Sequence, residues 1–370
     1  MCKIPQLINR FKKLLLFLTL VPFLLFSQEK DSTKRGSSIA VFPAISFAPE
    51  TSLQFGAALV MILKSDQEDQ DPEFIRQSTI SPFFLYTLKN QIITAVNANL
   101  FTAKGNAING SIRYLNFPDS YFGLGNSNDP DVSEQYTNTF FQVAGQYLKQ
   151  HNRTTFFGVG WDVQSNRIKN VNEGGMLETD SPVGVQGGNL LGVGPAFRYD
   201  TRNNSIYPDK GYFISVSSLF NYVGDFDFSS FLLDARKYVS LWNDNNILAF
   251  QFVTRVTSGA NAPFYKLPQL GGDDRLRGIA NASLYRDRQM VYTQVEYRRP
   301  LFWRFGMTVF AGAGDVANKP GDFNLSEFKY VGGMGGRFAV IPKDKLNLRI
   351  DLGVAKGGQI GIYAGISEAF

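Results

Sequence analysis

Charged side chains recur in this sequence as pairs of opposite sign two residues apart: Arg198 and Asp200, Asp234 and Arg236, Glu296 and Arg298, Arg349 and Asp351. Carboxylates set beside bases could serve general acid–base chemistry, where one group gives a proton and the other takes it. The remaining inventory does not support that use. His151 is the single histidine and Cys2 the single cysteine, which leaves neither a histidine dyad nor a His/Cys metal cluster. There is no nucleophile–base pair and no phosphate-binding loop, so no enzymatic activity and no cofactor is expected. A spacing of two instead puts each pair on one face of a β-strand, because strand side chains alternate. Such faces suit a wet interior lined by balancing charges.

The elements that would carry these pairs alternate repeatedly. Phe231, Leu233, Ala235, Val239 and Leu241 oppose Asp234, Arg236, Tyr238 and Ser240; Leu346, Leu348, Ile350, Leu352 and Val354 oppose Asn347, Arg349, Asp351 and Gly353. The 370 residues include 33 Phe and 35 Gly but only 19% charged residues, and after residue 27 no apolar run is long enough for a spanning helix. Apolar residues dispersed at period two over segments of about ten residues mark an outer-membrane barrel. Sixteen strands are predicted, at 39–47, 52–64, 78–88, 91–102, 107–117, 137–149, 154–168, 187–201, 211–223, 228–242, 246–258, 289–302, 305–317, 330–342, 346–355 and 359–370. The fold class is therefore all-β, a 16-stranded antiparallel transmembrane β-barrel. An even count closes a barrel with both termini on one side. The long connections 118–136, 169–186, 259–288 and 318–329 all fall on the other side.

The N-terminus sets the compartment. Lys3, Arg10, Lys12 and Lys13 precede an apolar core from Leu14 to Phe26, which reads as a signal peptide over residues 1–27. Residues 28–38 form a short polar tail, and 39–370 the barrel. Four of the 37 basic residues leave with the signal, so 33 bases face 32 acids in the mature chain. A nucleic-acid partner is not expected on that balance. The expected location is the outer membrane, with the N-terminus in the periplasm and outer-membrane lipid as the surrounding partner.

Candidate sites follow from this frame. Glu296 shares the inward face of its strand with Tyr292, Gln294 and Arg298. Arg277, carried by the long loop before that strand, could fold back and pair with it. Alternatively, Arg277 stays on an exposed loop and Glu296 pairs with Arg298 or another inward Arg. Pro43 within the first strand removes a ladder donor, and Gly361 and Gly365 leave the last strand few side chains, so the seam between first and last strands is weakened. In the other reading Pro43 marks a bulge and the glycines ease curvature.

The loop Leu276-Arg277-Gly278-Ile279 resembles the (aliphatic)-Arg-Gly-(aromatic) motif of the bacterial surface antigen superfamily, the BamA/TamA-like outer-membrane barrels. In that family the motif lies on the sixth outer loop and docks inside the barrel. The resemblance implies a loop lock of Arg277, Gly278 and Glu296. Phe310-Ala311-Gly312-Ala313-Gly314 resembles the family's Phe-x-Asp-x-Gly, with Gly312 in place of the Asp. Asp200, Arg202, Pro208 and Gly211 are similar to its Asp-x-Arg…Pro-x-x-Gly strand-to-turn motif, although the same residues would make an ordinary hairpin turn. The C-terminal strand ending in Phe370 is like the assembly signal of outer-membrane proteins, with Glu368 as a departure.

The resemblance implies assistance with insertion or transport of protein, or of lipid, through the seam. Substrates would be unfolded or secreted proteins. Periplasmic N-terminal domains are not expected, so a separate periplasmic or lipoprotein partner would deliver them. A passive pore, a surface structural barrel and a membrane anchor for a partner subunit are the competing expectations.

Overall fold

The computed structural model describes residues 37–48, 52–63, 75–88, 90–242 and 246–370. The expected signal peptide and residues 28–36 of the tail lie outside the described residues. Sixteen strands follow one another. They are β1 (Ser38–Ala48), β2 (Ser52–Leu63), β3 (Ser78–Thr87), β4 (Ile92–Phe101), β5 (Ala107–Tyr121) and β6 (Glu134–Gln150). Then come β7 (Thr155–Lys169), β8 (Gly188–Asp200), β9 (Gly211–Gly224), β10 (Phe228–Leu241) and β11 (Asn246–Ser258). The last five are β12 (Gln289–Phe302), β13 (Phe305–Ala317), β14 (Lys329–Ile341), β15 (Leu346–Ala355) and β16 (Gln359–Ile366). All belong to one sheet in chain order, each strand antiparallel to its neighbours. The expected sixteen-stranded barrel architecture is the observed one.

Alternation decides which way each side chain points. On β7, Phe157, Val159 and Val163 are exposed on the outer face, while Phe156, Asp162 and Gln164 are buried inside. Outward apolar residues repeat around the sheet, from Ile39 and Val41 on β1 to Ile360 and Ile362 on β16. Apolar area on that scale is stable against lipid and not against water. Trp242 and Trp303 stand out at short turns, 89% and 80% exposed, and the Trp303 ring packs on Phe305 and Phe338. Aromatics there match the membrane–water boundary.

Three boundaries differ from the sequence reading. β5 runs to Tyr121 and β6 starts at Glu134, with pairing maintained to Tyr121↔Glu134. Pro118 removes a single donor and does not stop the hairpin. The projecting end is tied down by Glu134, whose carboxylate accepts N–H groups from Asn172 and Leu177 at 2.8 Å each. Pro43 makes no bulge: the β1–β2 register is unbroken from Ser38↔Ile62 to Ala48↔Ser52. It is tolerated because β1 lies at the end of the sheet. Finally, β16 stops at Ile366 rather than reaching residue 370. Ser367 takes a left-handed φ of 68°, and that turn sends the last residues into the barrel.

No ladder joins β1 to β16 among the described residues. The two ends of the sheet meet through side chains instead. Ala40 and Phe42 of β1 pack with Val340, Leu346 and Ile366 at the short-turn end. Ile206 joins the same cluster from the β8–β9 turn, halfway round the sheet. That turn therefore reaches across the short-turn mouth, and Asp209 pairs there with Lys345 at 3.2 Å.

Candidate functional site

The opposite mouth is filled by the 259–288 loop, which folds back into the barrel. Its apolar residues explain the direction: Leu270, Leu276, Ile279, Leu284 and Tyr285 are buried in one cluster with Tyr292, Val316, Val331 and Ala355 of the wall. The tip is held by close backbone approach. Gly278 has φ of 131°, and a Cβ there would stand 2.8 Å from the Val354 carbonyl carbon. A Cβ on Gly353 would meet the Arg277 carbonyl at 2.3 Å. Glycine is needed on both sides of this contact. Tyr363 of β16 clamps the tip, accepting from the Gly278 N–H at 3.2 Å and donating to the Ile279 carbonyl at 2.9 Å.

Arg277 and Glu296 are both fully buried and paired. The alternative pairing exists as well, since Arg298 Nε donates to the other Glu296 oxygen at 2.8 Å. Glu296 thus bridges two arginines. The guanidinium of Arg277 also lies 3.8 Å from the Phe310 ring centroid, a cation–π contact strengthened by desolvation.

The missing acid of β13 is replaced from another strand. At Gly312 a Cβ would meet Leu276 Cδ2 at 2.7 Å, so the loop's own leucine occupies that space. Asp315 is turned elsewhere, accepting from Asn126 at 3.1 Å and pairing with Lys329 at 3.4 Å. The second carboxylate for Arg277 is Asp351 of β15, at 2.6 Å. Asp351 also accepts from Arg337 at 2.6 Å and Arg349 at 2.9 Å. Sequence reasoning placed Asp351 on the inward face but assigned it no part in the lock. Its signal was the Arg349/Asp351 spacing, which cannot say which loop residue will arrive between them.

The C-terminal tail completes the network. Glu368 pairs with Arg337 at 2.7 Å and accepts from Asn347 at 3.0 Å. Arg298 donates to the Phe370 carbonyl at 2.8 Å, and the Phe370 ring is buried against Tyr238 and Ala249. Phe370 is therefore not the end of a lipid-facing strand, which corrects the terminal-strand expectation. A charged residue at 368 fits because the tail has left the apolar face for the polar one. The proposed seam glycines also face inward. A Cβ at Gly361 would meet the Tyr363 hydroxyl at 2.3 Å, and one at Gly365 would meet Arg349 Nε at 2.8 Å. They make room for the clamp and the network, while β16 keeps its full ladder to β15.

The strand-to-turn motif is local. Arg202 pairs with Asp200 through both Nε and Nη2 at 2.9 Å, a bidentate geometry. Asn204 Oδ1 accepts the N–H groups of Ile206 and Tyr207 at 2.8 and 2.9 Å, an Asx turn. Pro208 is buried in the turn, and a Cβ on Gly211, with φ of 107°, would meet the Thr201 carbonyl at 2.2 Å. These residues shape the turn that crosses the mouth and do not touch the loop lock.

Residues 79–354 match the Omp85 superfamily domain. Among solved structures, BamA from Haemophilus ducreyi lacking POTRA domains 1–3 aligns with a TM-score of 0.59 at 14% identity, over 90% of this chain and 70% of that one. CdiB from Acinetobacter baumannii aligns with a TM-score of 0.54 at 10% identity, over 90% of this chain and 59% of the other. At such identities the likeness is one of fold. No curated protein sequence matches significantly. With a domain match over most of its length and a barrel of the same build, the chain belongs to the Omp85 superfamily of outer-membrane proteins.

Proposed function

We propose that this barrel assists the insertion or transport of polypeptide at the outer membrane by parting β1 from β16. In this reading the short-turn end faces the periplasm, and a separate periplasmic or lipoprotein chain delivers the substrate. The observation that carries the proposal is the junction of the two terminal strands, which among the described residues is made by apolar side chains and not by a ladder. A free strand edge can template an incoming strand through its main chain. The family membership supports the same class of activity. A steady axial pore is disfavoured, because the docked loop and the β8–β9 turn occupy the two mouths.

Cysteines placed opposite each other across the junction, one on β1 and one on β16, test the proposal. The only native cysteine is Cys2, so the background is simple. The expected result is loss of barrel-insertion activity in proteoliposomes on oxidation and its recovery on reduction. Full activity in the completely crosslinked protein would sink the proposal. In planar bilayers the same reading expects small, erratic openings rather than a large constant conductance.

A further inference from the structure

Away from the lock, a cavity of about 410 Å³ opens between the underside of the 259–288 loop and the wall formed by β5–β7 and β9–β11. Its lining carries five cationic side chains against two carboxylates. The carboxylates are already engaged. Asp162 accepts from Gln142 at 2.7 Å and pairs with Lys266. Asp119 accepts from Tyr136 and Ser283 at 2.9 Å each, with Arg286 at 3.5 Å. That leaves three guanidinium groups. Arg275 pairs only with the exposed carboxylate of Asp274 and donates to the Gln269 carbonyl. Arg113 of β5 and Arg255 of β11 have no hydrogen bond or ion pair among the described residues, and both are open to the lumen.

A second feature is independent of charge. Four polar atoms of the lining are buried and make no hydrogen bond among the described residues: Asn138 Oδ1, Asn221 Oδ1, Tyr265 Oη and Arg286 Nη1. Asn221 and Arg286 are each 1% exposed. A buried donor or acceptor left unpaired costs about 1–3 kcal/mol, so a ligand able to meet several of them gains from each. Two acceptor oxygens, a phenol and a guanidinium N–H suit a scaffold bearing several hydroxyls. The spare arginines suit an oxyanion, which a guanidinium can hold through two parallel N–H groups.

We propose that this cavity is a binding site for a phosphorylated polyol or saccharide headgroup, with Arg113, Arg255 and Arg275 on the phosphate and the buried amides on the hydroxyls. The phosphate chemistry is common to a soluble sugar phosphate and to a phospholipid headgroup, and both fit the description. The lock is not involved, so the site stands or falls separately from the transport proposal.

The test is equilibrium binding to the purified full chain in zwitterionic detergent, by calorimetry with glucose 6-phosphate, inorganic phosphate and glucose. Glucose 6-phosphate is expected to bind at least tenfold more tightly than either of the other two. Arg113→Gln and Arg255→Gln are each expected to weaken it about tenfold with unchanged thermal unfolding, since neither side chain supports another. Competition by dihexanoyl-phosphatidylglycerol assigns the site to a lipid headgroup, and absence of competition assigns it to a soluble sugar phosphate. Inorganic phosphate binding as tightly as the sugar phosphate overturns the proposal, as does equal affinity in the double variant or no binding at millimolar concentration.

Discussion

Two walls of the same barrel treat arginine in opposite ways. On β12–β16 and the loop tip, Arg277, Arg298, Arg337 and Arg349 each meet at least one carboxylate, drawn from Glu296, Asp351, Glu368 and Asp273. On β5–β11, Arg202 and Arg236 are paired within their own strand or turn. Arg113, Arg198 and Arg255 form no ion pair with any described residue; Arg198 lies instead over the Phe213 ring, 5.4 Å from its centroid. The first wall excludes water, so a guanidinium there is stable only with its counter-charge. On the second wall Arg113 and Arg255 are exposed to the lumen. Pairing fixes the loop and the tail; its absence leaves groups open to a ligand.

The contrast can be broken most severely at Arg277. Arg277→Met leaves the buried network with one negative charge in excess, although Glu296 keeps Arg298 and Asp351 keeps Arg337 and Arg349, and should cost about 3–5 kcal/mol, read as a lower unfolding midpoint in detergent and as new protease cleavage within 259–288. Asp351→Asn should fall in the same range, because three guanidinium groups share that carboxylate. A double-mutant cycle between the two should return a coupling of about 0.5–3 kcal/mol; additive losses would mean that Asp351 is not part of the lock. Gly312→Asp sharpens the comparison, since it restores the acid that the family carries on this strand. Here it should destabilise by about 1–3 kcal/mol, because Leu276 already fills the space. An increase in stability would show that the leucine yields. On the second wall, Arg255→Gln should move the unfolding free energy by no more than about 0.5 kcal/mol.

Much of this was legible beforehand. Period-two alternation set the strands and their count because it is local, and the parity of long and short connections followed from it. The Arg277/Glu296 pair was legible as a motif beside an inward carboxylate. Asp351 was not, because its role depends on where the loop tip comes to rest. That position is set by backbone contact between Gly278 and Gly353, two residues far apart in the chain. The direction of the tail was hidden for a different reason. Alternation through Ile360, Ile362, Ala364 and Ile366 reads as a strand continuing to the end, and only the charge at Glu368 argued otherwise. The β5–β6 hairpin outran its predicted ends because pairing continues through Pro118 and Glu134 anchors the projecting end.

The turn at Ser367 carries the chain off the sheet and inward. Residues 368–370 become part of the interior, where Arg337 takes a partner from Glu368 and Arg298 one from Phe370. Replacing Glu368 alone would leave every strand in place yet take from Arg337 one of its two carboxylates. The far edge of the sheet is thus fastened from inside, by a segment that belongs to no strand.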